Sequence, residues 1–273
     1  MHLCFSTLGC PAWTLGQIIE AAVANGIEGI DFRGLGPEID ITKLPAFGAE
    51  LDATLSQLRQ RGLSMPCLNT SVALVSPSPE RWQAMLDECH RYATLARRTD
   101  TRFVRIFGGG VPAGMSRDEA LMMARRHLRQ VVKVCRPLGV RPLVETHDDW
   151  VTSDQLLELL RELTVDEAGV LWDIEHTHWR KESPQDVFGR MGRWIRHVHV
   201  KDAVRAGGKI QTRLLGEGEL PIAESMRVLC DGGYDGWICF EGEKRWDADA
   251  AEPEVSVPQF AEYMRGVFAT IES

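Results

Sequence analysis

No run of residues in this 273-residue chain approaches the ~20 consecutive apolar positions that a membrane span requires. The opening Met1-His2-Leu3-Cys4-Phe5 has neither a basic segment nor a long apolar core, so it reads as a first β-strand and not as a signal peptide. CxxC spacing is absent. The seven cysteines (4, 10, 67, 89, 135, 230 and 239) are odd in number and several occupy apolar positions, which favours reduced, buried thiols in a cytoplasmic protein. A basic excess is missing too. The net charge is −8, whereas a nucleic-acid binder usually carries a basic face. There is no internal repeat, low-complexity tract or linker. The turn after the first strand, Leu8-Gly9-Cys10-Pro11, lacks the glycine-rich pattern of a dinucleotide-binding sheet.

What the chain does contain is a regular alternation. Hydrophobic content of 44% is ample for a core, and α/β barrels of about 250 residues are routinely single domains. Strand signals fall at Met1–Phe5, Ile27–Arg33, Leu63–Asn69, Arg102–Phe107, Val140–Glu145, Gly169–Asp173, Ile195–Val200 and Gly236–Glu241. Helix signals separate them. Thr14, Ser116 and Thr152 open capping boxes, and Ser78-Pro79 and Ser183-Pro184 supply caps with proline at the first helical position. A helix is expected over Pro45–Arg61, another over Pro221–Cys230, and a last one from Pro258 to Ile271. Pro142 is awkward within a strand. Eight strands alternating with eight helices point to an α/β fold, a single (β/α)8 TIM barrel spanning residues 1–273 as one domain.

The connections are unequal. Those after the third, sixth, seventh and eighth strands are long (Asn69–Ser78, Glu175–Ser183, Lys201–Leu220 and Gly242–Val257), and helix-to-strand turns are short. In barrels the long loops lie on the catalytic rim. Four strands end there in ligand-type side chains: Glu145, Asp173, His199 and Glu241. Three carboxylates converging without a cation would repel one another. A divalent metal removes that conflict, and three oxygens with one imidazole suit Mn²⁺ or Mg²⁺, with Zn²⁺ or Co²⁺ admissible. Glu243 shares the strand parity of Glu241 and competes for the last ligand position. His197 points inward below His199, as a hydrogen-bonded support or a core residue. Arg105 shares parity with Phe107 and is a candidate for the pocket wall. Arg205, Lys209 and Arg213 are either a phosphate grip or a solvated loop face, and Trp13, Trp150, Trp179 and Trp246 fall in rim loops where they could pack on a sugar.

His199-Val200-Lys201-Asp202, Trp172-Asp173-Ile174-Glu175-His176, Leu215-Gly216-Glu217-Gly218-Glu219-Leu220-Pro221 and Phe240-Glu241 together resemble the sugar phosphate isomerase/epimerase family of xylose isomerase-like barrels. The likeness runs along essentially the whole chain, with Ser6-Thr7-Leu8-Gly9-Cys10-Pro11 and Glu145-Thr146-His147-Asp148-Asp149-Trp150 similar to one subgroup. It implies Glu145, Asp173, His199 and Glu241 as metal ligands and His176 as a substrate contact; Lys201 and His147 are placed to reach the substrate as well. The implied chemistry is metal-assisted enolisation of a sugar, keto-sugar or polyol, phosphorylated or not, with Glu145 and Glu241 as the acid–base pair. A lyase or dehydratase expelling a β-substituent from the same enolate is the first alternative. An endonuclease IV-like repair enzyme is the second, but that enzyme's further ligand positions read Asn69-Thr70, Gly108-Gly109 and Ile210-Gln211-Thr212 here. A non-catalytic sugar-binding barrel is the third. The expected partner is a small-molecule sugar or polyol, with no nucleic acid and no membrane; a homo-oligomer is left open.

Overall fold

Side-chain alternation builds a ring with two differently filled faces. In the computed structural model, which describes residues 1–272, the barrel strands are β1 (His2–Ser6), β2 (Gly29–Asp31), β3 (Cys67–Ala73), β4 (Phe103–Phe107), β5 (Arg141–Glu145), β6 (Gly169–Asp173), β7 (Ile195–Val200) and β10 (Trp237–Phe240). All neighbouring pairs are parallel, in the order β2-β1-β10-β7-β6-β5-β4-β3. Isolated parallel bridges Gly29–Ser64, from β2 to the segment before β3, and Phe32–Leu68, from the residue after β2 to β3, close the barrel.

Alternate residues such as Phe5, Ile30, Leu68, Ile106, Val144 and Val198 are fully or almost fully buried in the main apolar core with the helices. Each such burial contributes roughly 1.5–3 kcal/mol. The residues between them face the lumen. The lumen holds a small apolar cluster of Cys67, Leu143 and Leu171 with Phe103 against it, and above it a charged layer at the carboxyl ends of the strands. Pro142 is accommodated within β5, paired with Val104.

The outer helices are α1 (Leu15–Ala24), α2 (Leu51–Gln60), α3 (Pro79–Arg98), α4 (Arg117–Cys135), α5 (Ser153–Leu160), α6 (Ile174–Trp179), α7 (Pro184–Met191), α8 (Ile222–Asp231) and α9 (Pro253–Glu272). Thr14, Ser116 and Thr152 form complete capping boxes, and Ser78 and Ser183 cap helices with proline in the first turn. Several boundaries differ from the sequence reading. Residues 45–47 form a separate 3-10 turn, so α2 starts at Leu51. β3 begins at Cys67 and its register with β4 shifts between Asn69 and Ala73. The loop after β6 contains α6, and the loop after β7 folds into an antiparallel hairpin, β8 (Asp202–Ala206) with β9 (Lys209–Arg213). Helix α9 starts five residues early and carries Pro258 inside. Six of the seven cysteines are buried thiols and Cys230 is exposed. No helix among the described residues is long and apolar enough to cross a membrane.

Candidate metal centre

The last residue of β5, the last residue of β6, the fifth residue of β7 and the residue after β10 meet at the carboxyl end of the barrel. Register makes this unavoidable: Asp173 pairs with His199, and Cys239 with His199 on the other side, which sets Glu241 one pleat higher. Glu145, Asp173, His199 and Glu241 each offer a ligand atom, and these atoms lie within 4.8 Å of one another. His199 Nδ1 is 3.3 Å from Glu145 Oε1 and 3.2 Å from Glu241 Oε1. All four residues are buried. Glu145 Oε2, Asp173 Oδ2 and His199 Nδ1 nevertheless find no hydrogen-bond partner among the described residues. Their near neighbours are charged groups, Arg105 and Lys201 for the two oxygens and the Glu145 and Glu241 carboxylates for the imidazole; buried polar atoms are normally hydrogen-bonded, and a donor set of this kind fits a divalent cation.

The electrostatics follow from burial and neighbours. Burial alone would raise the Glu145 carboxyl, but Arg105, joined by His199, holds it down at about 2 against repulsion from Glu241. Burial is likewise overcome at Glu241, which His199 and Lys201 keep well below the carboxylate range. At Asp173 burial prevails and the carboxyl is raised, despite Lys201 and His176.

Lys201 stands beside this set. Its ammonium lies 2.7 Å from Glu243 Oε1, 2.9 Å from Glu241 Oε2, 3.1 Å from Asp173 Oδ2 and 3.2 Å from Glu175 Oε2. Lys201 thus forms ion pairs with neighbouring acids, and among the described residues Asp202 is not one of them. Asp202 accepts backbone N–H groups from Ala203, Gly216, Gly218 and Leu220 at 2.8–3.2 Å, so its carboxylate organises the Gly-Glu-Gly turn. Glu243 is half-buried and pairs with Lys201, leaving Glu241 in the quartet.

The remaining candidates divide. Arg105 is buried, with Nε donating to Asn69 Oδ1 at 3.2 Å and lying 3.3 Å from Glu145 Oε2. His176 Nε2 is 3.6 Å from Asp173 Oδ2, and its ring meets that of His147 edge-on at 4.6 Å. His147 in turn lies 2.9 Å from Asp148. Arg205, Lys209 and Arg213 are exposed on the hairpin, where Arg205 lies over Trp179 and Arg213 Nη2 donates to Gln211. Trp150 is wholly buried and donates to Gly109 O, so it is a core residue and no sugar platform. Trp246 is 64% exposed.

Three participants escaped the sequence reading. Asp31 Oδ2 lies 2.7 Å from His197 Nε2 and 3.8 Å from His199 Nε2, and its charge raises the His197 imidazole to about 9 against the opposing effect of burial. Arg33 and Glu175 are the others. Strand parity within Ile27–Arg33 was the available signal: Asp31 ends β2 and Arg33 lies two residues beyond it, on the same face.

A family model described as xylose isomerase-like TIM barrel matches residues 19–265. Among curated proteins, 3-dehydroshikimate dehydratase of Bacillus anthracis is 25% identical over 192 residues, covering 68% of this chain and 65% of that protein. The chain spans less than two thirds of the length of the curated relatives it matches. Among solved structures, a D-tagatose 3-epimerase-like protein superposes with a TM-score of 0.80 at 15% identity, covering 100% of this chain and 98% of that one. The IOLI protein with a bound zinc atom gives a TM-score of 0.80 at 15% identity, covering 99% and 98%.

Proposed function

The chain belongs to the xylose isomerase-like TIM-barrel family, and from that footing we propose that it is a divalent-metal-dependent isomerase or epimerase of a sugar, keto-sugar or polyol. The observation that carries this reading is the buried quartet Glu145, Asp173, His199 and Glu241, with ligand atoms on three of its members that make no hydrogen bond among the described residues. A divalent ion held there, Mn²⁺ or Mg²⁺ by preference for oxygen and Zn²⁺ or Co²⁺ otherwise, supplies Lewis-acid stabilisation of the negative charge that develops on a substrate carbonyl oxygen.

The chain's own groups supply the rest. Glu145 and Glu241 are held ionised, so each has a carboxylate oxygen able to take the proton α to the carbonyl. Return of a proton by the second carboxylate to the opposite face gives an epimer; return to the neighbouring carbon gives an aldose–ketose isomer. Lys201, its three N–H donors facing the carboxylates of Asp173, Glu175, Glu241 and Glu243, holds these acids in place and reaches a substrate oxygen by exchanging one of them. His176 and His147 border the same end of β6 and β5 and complete the substrate wall. Similarity to the Bacillus anthracis dehydratase favours one second reading, in which the same proton abstraction is followed by loss of a β-hydroxyl.

The test is exchange of the α-hydrogen. Metal-loaded protein incubated in D₂O with a panel of ketoses and keto acids is followed by NMR for deuterium entering carbon-bound positions. Glu241→Gln is expected to abolish exchange, by about 10²-fold or more as general acid–base groups commonly contribute, with an unchanged circular dichroism spectrum. Undiminished exchange in that variant would remove Glu241 from the chemistry, and release of water without exchange would select the dehydratase reading.

A further inference from the structure

Three side chains on the other half of the rim keep donors that the chemistry above does not use. Arg33 follows β2, Asn69 lies in β3 and Arg105 in β4, whereas the quartet comes from β5 to β10. Asn69 and Arg105 are 1% exposed and Arg33 is 8% exposed. Each keeps one nitrogen without a hydrogen-bond partner among the described residues: Arg33 Nη1, Asn69 Nδ2 and Arg105 Nη1. The rest of each group is anchored. Arg33 Nη2 donates to Ser71 Oγ at 2.9 Å, Arg105 Nε donates to Asn69 Oδ1, and the Arg105 guanidinium lies 3.8 Å over the Phe107 ring.

A buried donor left unmade costs about 1–3 kcal/mol, and more when it is charged. Three of them on adjoining strands, already held in place by their other contacts, amount to a prepared receptor. Its character is cationic. Burial and then the charge of Arg105 push the Arg33 guanidinium down to about 10, with Glu88 and Glu145 opposing, so the two cations sense each other. Among the described residues, Arg105 of the three has a carboxylate within ion-pair distance, Glu145, and that oxygen belongs to the proposed metal quartet. A planar anion with two oxygens matches forked guanidinium donors and a side-chain amide.

Resting on the reading of the quartet as a sugar enzyme's metal centre, we propose that Arg33, Asn69 and Arg105 form a carboxylate-binding subsite. The substrate is then a sugar acid, with its carboxylate on β2–β4 and its reacting carbons toward β5–β10. Specificity for acidic over neutral sugars resides in Arg33 and Asn69, which touch none of the four proposed metal ligands in the structure.

The experiment compares three ligands by isothermal titration on the Mn²⁺-loaded chain: D-fructuronate, D-fructose and D-fructose 6-phosphate. These differ only in carrying a carboxylate, a hydroxymethyl or a phosphorylated hydroxymethyl group at one end. The uronate is expected to bind at least tenfold more tightly than fructose, equivalent to ~1.4 kcal/mol, and more tightly than the phosphate. In Arg33→Gln and Asn69→Leu the uronate-to-fructose ratio falls toward one, and Arg33→Lys restores part of it. Equal affinity in the wild-type chain, preference for the phosphate, absence of uronate binding, or an unchanged ratio in Arg33→Gln each overturns the proposal. Binding does not require turnover. A chain that selects the uronate yet never exchanges its α-hydrogen would sink the enzymatic reading and leave the carboxylate subsite standing.

Discussion

Asp31 Oδ2 is within hydrogen-bonding distance of His197 and 3.8 Å from His199 Nε2, so one carboxylate in the lumen braces the first imidazole of β7 and sets a negative charge beside the second. Its other oxygen accepts the Cys67 amide. All of these groups are fully buried. Removing one partner of a buried pair leaves the other uncompensated, at a cost of about 3–5 kcal/mol. Asp31→Asn is therefore expected to lose stability on that order in urea titration, and a loss under 1 kcal/mol would show that the pair is not holding the lumen. His127 offers a pH-linked counterpart away from the quartet. It stacks on Trp82 with ring centroids 3.8 Å apart, and Nδ1 lies 2.7 Å from Leu74 O. Burial lowers its pKa from the ordinary value near 6.5, the Leu74 carbonyl resists, and Arg126 adds to the lowering. The folded state therefore binds fewer protons than the unfolded one. Stability is full above about pH 6.5 and declines as pH falls through the depressed folded value. His127→Gln should flatten that acid limb, measured as unfolding free energy at a series of pH values; an identical limb would contradict the assignment. At this scale the quartet was legible, because each member ends an apolar run. Asp31 and Arg33 lie within the strand signal over Ile27–Arg33, but nothing in that run says that their side chains meet His197 and Ser71 across the lumen.

Among the elements, the segment from Lys201 to Leu220 departs most from its sequence reading. It looked like a long loop with scattered cations, and it is a hairpin followed by a turn tied to Asp202. Gly-Glu-Gly is required there for room. A Cβ on Gly218 would stand 2.0 Å from Asp202 Oδ1 and 2.7 Å from the Ala203 nitrogen. Gly218→Ala should cost about 1–3 kcal/mol, as overpacking does, and speed hydrogen exchange at the Gly216 and Leu220 amides; unchanged protection would show that the turn tolerates the shift. Helix starts were the most readable features, since Thr14, Ser116 and Thr152 place a side-chain oxygen and a Glu or Gln three residues apart. Strand limits were less so. β3 runs on to Ala73 because its pairing with β4 resumes after an irregularity that no residue pattern announces. Helix α6 was hidden because its cap is Asp173 itself, whose Oδ1 accepts the Glu175 and His176 amides. One carboxylate thus starts a helix and leaves its second oxygen to the proposed metal set.

On the scale of the molecule, the alternation of strands and helices made the barrel readable from end to end, and unequal loop lengths singled out the end where the proposed quartet lies. The alternation does not say which lumen residues meet, because that depends on the stagger between strands. A cavity of about 540 Å³ lies at the opposite end, lined by Met65, Arg102, Phe103, Arg196 and Trp237. Chemistry, and not size, therefore picks out the site. The proposed ligands come from four strands that are successive around the ring, so binding one ion would tie β5, β6, β7 and β10 together and stabilise the fold by mass action. Titration of Mn²⁺ into the metal-stripped chain, followed by calorimetry, tests this most directly. One ion should bind per chain, and Asp173→Asn and His199→Ala should each weaken it by at least the roughly 10–100-fold that loss of an outer-shell partner costs. Absence of binding to the wild-type chain, or equal binding by both variants, would contradict the account.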